Sequence, residues 1–342
     1  MTKRFSTLKD VAKEAGVAPI TVSRVFNDSG YVNKKTREKV IKAIEKLHYQ
    51  PSVSARKLKT LKSNIISIIV PDIKNDFYAN IIESAEDVIR ENGLDIMIFN
   101  SRFSTKLEMK FLELSVSDRV DGIILDSMGG TEKVINNILV KNRIPIVILE
   151  SYFKSVDTDF ILHKNFEGTY LLTEHLIKKH HHKNIGYISL NLTSQVTIDR
   201  LKGYRQALTD NKIELDENLV LYGKATVESG YNLTKSLILK ERTLSALVCS
   251  NTIFGTGAIK AFKDLKVRVP ADIAFVTFDE YDINSILTPS LTSLERVDRI
   301  FGENAANLLL KRIKEKKAAE KRVIEIPSRL LVRESCGCLL GR

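Results

Sequence analysis

Residues 7–58 read TLKDVAKEAGVAPITVSRVFNDSGYVNKKTREKVIKAIEKLHYQPSVSARKL, and the spacing of their apolar residues decides how the N-terminal part folds. Leu8, Val11, Ala12 and Ala15 recur at i, i+3, i+4 and i+7, one face of a helix. Gly16 follows at the helix end, where a left-handed residue is easy for glycine. Pro19 stands near the start of a second helix, where its fixed φ and missing N–H cost little. Val22, Val25 and Phe26 supply the buried face of that helix, while Thr21, Ser23 and Arg24 point elsewhere. A third helix is predicted from about Lys34 to Leu47, with Val40, Ile41, Ile44 and Leu47 inward, Lys and Arg outward, and Pro51 stopping it. Three short helices with a three-residue turn between the first two make a helix-turn-helix.

Charge points the same way. The chain of 342 residues has a formal net charge of +11. Residues 1–62 hold 15 of its 53 Lys+Arg but 5 of its 42 Asp+Glu, so nearly all the excess sits in the first fifth. That asymmetry is the electrostatic footprint of a nucleic-acid module joined to a nearly neutral body. An unstructured basic tail would lack the helical periodicity.

With these residues in view, the segment resembles the headpiece of the LacI/GalR family of bacterial transcription regulators. The resemblance is carried by Thr7-Leu8, Asp10-Val11-Ala12, Ala15-Gly16-Val17, Thr21-Val22-Ser23-Arg24-Val25, Asn27, Thr36-Arg37, Val40, Tyr49, Pro51, Ala55-Arg56 and Leu58. It continues more weakly to about residue 335. It implies that the second helix enters the major groove, with Pro19 and Ile20 facing base edges through apolar contact with thymine methyls and Arg24 reading guanine. Thr7 is implied to be a DNA contact, and Thr21, Ser23, Asn27, Asn33 and Thr36 to hold phosphates and fix register. Ala18 replaces the serine usual in the family, so no phosphate contact is carried over there. Residues 52–59 resemble the hinge helix, with Leu58 the candidate minor-groove wedge and Ala55 packed beside it. A headpiece this small reads few base pairs, so a homodimer on a pseudo-palindromic operator is expected.

From about Ser63 the pattern changes. Apolar runs at 65–70, 95–99, 122–125, 145–149, 185–190, 246–249 and 273–277 alternate with amphipathic stretches near 77–92, 106–118, 131–142, 166–180, 200–211, 229–240, 253–265 and 298–315. Solid apolar strands alternating with helices imply parallel sheets covered on both faces. The length implies two lobes. The expected fold is therefore an all-α helix-turn-helix headpiece (1–50), a hinge (51–62) and an α/β two-lobed core with parallel sheets (63–335), followed by a tail (336–342). The resemblance implies a periplasmic-binding-protein-like core, its N-lobe about 63–162 and 291–324 and its C-lobe about 163–290 and 325–335, the chain crossing near 162, 290 and 325.

Ligands of open parallel sheets lie beyond the carboxyl ends of the strands, here the cleft between lobes. By the resemblance Phe77 and Tyr78 face a sugar or planar ligand, Arg200 binds its carboxylate or hydroxyls, and Asn251 and Asp279 hold hydroxyls. Three departures bear on this site: Lys164 stands where the family has Asp, Thr252 follows Asn251 where Asp is usual, and Asp76 replaces proline. The added charge at Lys164 points to an acidic effector such as a sugar acid or sugar phosphate.

His180-His181-His182 with His175 reads as a solvated helix end, and Cys336-Gly-Cys338 as reduced thiols, so no metal and no cofactor are expected. No secretory signal or membrane-length apolar run is seen, which places the protein in the cytoplasm, and no G-x-S-x-G, P-loop or H-E-x-x-H element suggests an enzyme. The eight residues after Glu334 leave no room for a tetramerising heptad helix. The leading expectation is a ligand-responsive repressor of carbohydrate-utilisation genes. The alternatives are a regulator governed mainly by a protein corepressor, and a sugar-binding protein or enzyme whose basic end is incidental.

Overall fold

The computed structural model describes residues 6–26, 29–47, 49, 63–191, 194–241, 243–295, 297–315 and 320–338. The chain divides into two compact units, residues 1–63 and 64–342. The expected hinge at 51–62, with Ala55 and Leu58, and the predicted phosphate contact Asn27 lie outside the described residues.

The first unit contains α1 (Leu8–Ala15), α2 (Pro19–Phe26) and α3 (Lys34–Lys46). The start of α1 is fixed by a capping box. The Thr7 and Asp10 side chains each bond the other's backbone N–H, at 2.8 Å for Thr7 N–H to Asp10 Oδ2 and 3.3 Å for Asp10 N–H to Thr7 Oγ1. Gly16 ends it at φ +63°, its N–H turned back to the last carbonyls. Asn33 caps α3 by accepting from Thr36 N–H at 2.8 Å. The buried core is Val11, Ala12, Ala15, Val22, Val25, Val40, Ala43 and Tyr49. Two positions expected inward face solvent: Phe26 and Ile41 are exposed. The core is small enough for Val22 with Val25, and Val40 with Ala43, to fill it at three-residue spacing, which leaves Phe26 and Ile41 on the rim.

The second unit holds two parallel sheets. The first has six strands in the order β11-β5-β4-β3-β1-β2, from β1 (Ile65–Val70), β2 (Asp95–Asn100), β3 (Gly122–Asp126), β4 (Ile146–Leu149), β5 (Asp159–His163) and β11 (Val323–Ile326). The second has four, β7-β6-β8-β9, from β6 (Ile185–Leu190), β7 (Val220–Gly223), β8 (Ala246–Cys249) and β9 (Ala274–Thr277). Each central strand is buried on both faces, which is why its sequence is an unbroken apolar run. The strands missed in the sequence are those without such a run. β7 and β11 are sheet edges, and β5 is flanked by Asp159 and His163.

Helices α4 (Asp76–Glu91), α5 (Thr105–Ser117), α6 (Glu132–Asn137, continued by a π turn at Ile138–Asn142) and α12 (Asp298–Lys314) cover the first sheet. Helices α7 (Asn165–His180), α8 (Gln195–Asp210), α9 (Val227–Lys240) and α10 (Thr252–Asp264) cover the second. The short α11 (Asp282–Ile286) follows β9. The crossings differ slightly from those expected. A two-stranded antiparallel pair, β10 (Ser293–Leu294) with β12 (Leu330–Leu331), packs with the second lobe's core, so the chain crosses after Leu294 rather than near 290. Strand β11 runs to Ile326 before the last crossing, past the expected 325. A buried ion pair ties α12 to β5: Arg312 holds Asp159 with both arms at 2.9 and 2.8 Å. Among the described residues no helix is long and apolar enough to cross a membrane.

Candidate functional site

Two surfaces carry functional chemistry, one in each unit. In the first, helix α2 buries Val22 and Val25 and leaves Pro19, Ile20 and Arg24 exposed, with Ile20 53% accessible. An exposed isoleucine in the first turn of a helix, with an exposed arginine one turn on, is the kind of face that meets base edges. The Arg24 side chain passes close to Gly30, which sits at φ +76°. Thr21, Ser23 and Thr36 are half-buried beside this face. Thr7 and Asn33, read as DNA contacts, spend their side-chain oxygens as helix caps, so both have a structural duty irrespective of DNA.

An open cleft of about 1030 Å³, solvent at its mouth included, lies between the lobes. Phe77, Tyr78, Arg200, Asn251 and Asp279 all line it. Lys164 does not. Its ammonium turns to Glu167 in the first turn of α7, 3.5 Å away, so the positive charge expected of it is spent outside the cleft.

Arg200 is the centre of the second lobe's contribution. It is 9% exposed and stacks its guanidinium on the Phe278 ring at 3.5 Å. Its Nε donates to Asn165 Oδ1 at 2.8 Å, its Nη1 donates to the Ser250 carbonyl, and Asp279 Oδ1 lies 3.8 Å from Nη1. Asp279 in turn accepts Thr252 N–H at 3.0 Å. Thr252, read as a departure, thus anchors Asp279 through its backbone. Gly203 makes the arrangement possible: a Cβ there would collide with the Phe166 carbonyl, so α8 lies on α7 closely enough for Arg200 to meet Asn165. Asn251 caps α10 by accepting Phe254 N–H at 3.0 Å.

The first lobe contributes carboxylates that went unnoticed in the sequence. Asp126 closes β3 and Glu150 follows β4, both at carboxyl ends of strands, where an acidic residue after an apolar run was the available signal. Glu150 Oε1 meets His163 Nδ1 at 2.7 Å. Burial drives the Glu150 carboxyl upward, but His163, Arg200 and Asn165 together hold it below the usual carboxylate range. Asp126 goes the other way: burial, reinforced by the Glu150 charge, pushes it well up. Its Oδ2 is buried without a protein hydrogen-bond partner. Beside it the Tyr78 hydroxyl is pushed well above its ordinary value, by burial and then by the Asp126 charge.

Glu108, fully buried, fixes the loop after β3 by accepting from Ser127 Oγ at 2.7 Å, Thr131 Oγ1 at 2.6 Å and Met128 N–H at 3.0 Å. Phe77 sits in an aromatic cluster with Tyr78, His163 and Phe301, with centroids 5.1–5.9 Å away. A hydrogen bond crosses the cleft, from Tyr281 Oη to Asn75 Oδ1 at 2.9 Å. The site therefore has one guanidinium, a histidine and the carboxyls of Asp126, Glu150 and Asp279 around an aromatic floor.

Comparison with known proteins gives a consistent set. Residues 7–52 match the model described as "Bacterial regulatory proteins, lacI family", and residues 63–334 match "Periplasmic binding proteins and sugar binding domain of LacI family". The HTH-type transcriptional repressor PurR of Histophilus somni (strain 2336) is 31% identical over 331 residues, 97% of this chain and 99% of the relative. PurR of Mannheimia succiniciproducens is 33% identical over 333 residues, 97% and 98% of the two chains. Among solved structures, the Lac repressor dimer bound to operator and the anti-inducer ONPF superposes with a TM-score of 0.82 at 26% identity, covering 97% of this chain and 99% of that one. A transcriptional regulator CelR–cellobiose complex superposes with a TM-score of 0.72 at 27% identity, covering 96% and 99%.

Proposed function

Because this chain belongs to the lacI family of bacterial regulatory proteins, and is thereby a DNA-binding transcriptional repressor, we propose that a small effector held between its lobes sets its affinity for a pseudo-palindromic operator. It acts in the cytoplasm and as a homodimer, a reading supported by its likeness to the Lac repressor dimer bound to operator. Arg24 reads a base edge, Pro19 and Ile20 pack on base methyls, and Thr21, Ser23 and Thr36 hold phosphates.

The effector is a neutral, hydroxyl-rich molecule of sugar size. The observation that carries this reading is the charge inventory of the cleft, where the Glu150 and Asp279 carboxylates offset the lone guanidinium of Arg200, whose Nε and Nη1 already hold Asn165, the Ser250 carbonyl and Asp279. An added anionic group would meet the carboxylates of Glu150 and Asp279. The acidic effector suggested by Lys164 is set aside for the same reason, since Lys164 points away. A hydroxyl suits the unpartnered Asp126 Oδ2, and Phe77 with Tyr78 suits an apolar ring face. The likeness to a regulator solved with cellobiose supports a carbohydrate.

The effector works by binding one lobe arrangement better than another, and can shift operator affinity only by that difference. The Tyr281–Asn75 bond is a contact that such a rearrangement breaks or makes. The test is selection of bound duplexes from a random library, followed by titration of the selected operator with neutral sugars, sugar acids, sugar phosphates and planar nitrogen heterocycles. Salt-sensitive, sequence-selective binding that a neutral sugar shifts is expected. A response confined to anionic compounds, or to planar heterocycles, overturns the effector assignment.

A further inference from the structure

The end of α7 and the last described residues of the chain are far apart in sequence, His180 and Cys338 being 158 positions distant, and they meet in space. His175 Nε2 lies 3.3 Å from Cys336 Sγ and 3.5 Å from Cys338 Sγ. His180 Nε2 lies 3.1 Å from Cys338 Sγ. The four donor atoms all fall within 4.8 Å of one another. We propose that His175, His180, Cys336 and Cys338 form a structural zinc site that clips the Cys-Gly-Cys turn to the end of α7.

The donor set is the first argument. Two imidazole nitrogens and two sulfurs, with no fifth group among the described residues, match tetrahedral zinc and suit neither magnesium nor calcium, which want oxygen. Zn–S bonds of about 2.3 Å and Zn–N bonds of about 2.0–2.1 Å give tetrahedral N···S edges of about 3.5 Å. Three of the four nitrogen–sulfur separations, at 3.1–3.5 Å, are already close to that value, and the widest of all the donor separations is within 4.8 Å, so side-chain adjustment suffices to admit the metal.

The second argument is that the turn is built for convergence. Gly337 sits at φ +104°, and a Cβ there would press on the His180 ring at 3.3 Å. Glycine thus lets both flanking sulfurs face α7. The backbone leading into the turn is held independently: Ser335 Oγ donates to the Phe275 carbonyl at 2.6 Å and accepts Thr292 N–H at 2.8 Å. Cys336, 1% exposed, belongs to the second lobe's core, so the site is rooted rather than superficial. Binding converts both thiols to thiolates, releasing two protons to solvent, and the thiolates and two neutral imidazoles donate their electron pairs to the ion without any redox step. Four protein ligands close the coordination shell, so the role is structural. The clip holds the far end of the helix whose first residue, Asn165, positions Arg200.

The experiment uses the untagged full-length chain, reduced, stripped with chelator and titrated with cobalt and then zinc. One cobalt per chain is expected, with visible bands of tetrahedral intensity and a near-ultraviolet thiolate charge-transfer band, both abolished by one equivalent of zinc. Zinc should raise the melting temperature of the stripped protein. Cys338→Ser and His180→Gln replace side chains outside the core, so both should fold and each should weaken binding by at least about 100-fold. A weak octahedral cobalt spectrum without charge transfer, or unchanged binding in both variants, overturns the proposal. So does a thiol titration of the denatured, unreduced protein that finds Cys249 alone, since a Cys336–Cys338 disulfide then occupies the sulfurs.

Discussion

The headpiece keeps its functional side chains outside its core, whereas the cleft buries its own. In the headpiece every residue of the packed centre is apolar or aromatic, and Pro19, Ile20 and Arg24 stand in solvent. In the cleft, Asp126 and Arg200 are buried, Glu150 is paired with His163, and Arg200 is bonded to Asn165, the Ser250 carbonyl and Asp279. Recognition and stability are therefore separable in the first region and entangled in the second. A charge removed from α2 leaves a solvated surface behind. A charge removed from the cleft leaves its former partners buried and unpaired.

Arg200→Ala is the largest expected break in that contrast. It strips a buried guanidinium from Asn165, the Ser250 carbonyl, Asp279 and the Phe278 ring together. Loss of such a network member costs about 3 kcal/mol or more. Effector affinity should fall at least about 100-fold, and the body should melt earlier, while operator binding without effector persists. Fluorescence-anisotropy titrations of operator with and without effector check this; a retained response removes Arg200 from the site.

Arg24→Ala is the converse. It should weaken specific operator binding by about 1–3 kcal/mol and relax one base position, yet change thermal stability by less than about 0.5 kcal/mol. Equal losses on specific and scrambled duplexes would show that Arg24 contributes only charge. Thr7→Ala then tests whether the separation is complete within the headpiece. It removes the hydroxyl half of the α1 capping box, leaving the backbone N–H of residue 7 to Asp10, and should cost about 1 kcal/mol of headpiece stability. DNA affinity should fall only as far as that instability exposes unfolded headpiece, which titrations at low temperature will reveal. A larger loss there assigns Thr7 a direct phosphate contact.

The same contrast explains what was legible in the sequence. The headpiece's reading surface lies within one helix, so period and position alone separate Val22 and Val25 from Ile20 and Arg24. Phe26 and Ile41 were misplaced because period fixes a face and not the size of the core behind it. The parallel sheets were legible because doubly buried strands have unbroken apolar runs. The edge strand β7 and the polar-flanked β5 lacked that mark. The cleft was legible only in part, because its residues come from strand ends as far apart as Asn75 and Tyr281. Asp126 and Glu150 look like ordinary loop acids until the fold buries them side by side. Lys164 misled because a residue's charge says nothing of its direction, and Glu167 one turn on captures it. The meeting of His175 and His180 with Cys336 and Cys338 depends wholly on the tertiary fold.

Asp126→Asn should have the smallest effect on operator binding and the most informative effect on the body. The Asp126 carboxyl is held well above its ordinary value by burial and then by the Glu150 charge. A carboxyl whose folded pKa exceeds its unfolded one binds its proton more tightly when folded. It therefore subtracts stability increasingly as pH rises from the unfolded value through the folded one, and subtracts nothing further above it. The amide keeps the shape and removes the titration. The variant should match the parent in acid and become the more stable of the two toward neutral pH, as denaturant midpoints across that range will measure. Glu150 pulls in the opposite sense: its folded pKa lies below its unfolded one, so it adds stability that is lost as pH falls through the folded value. If Asp126→Asn gains stability and loses effector affinity at once, the carboxyl persists because it serves the ligand and not the fold, the trade expected of a binding site. A variant that loses stability toward neutral pH would show that Asp126 supports the first lobe, and the division between a solvated reading face and a buried cleft would have to be redrawn.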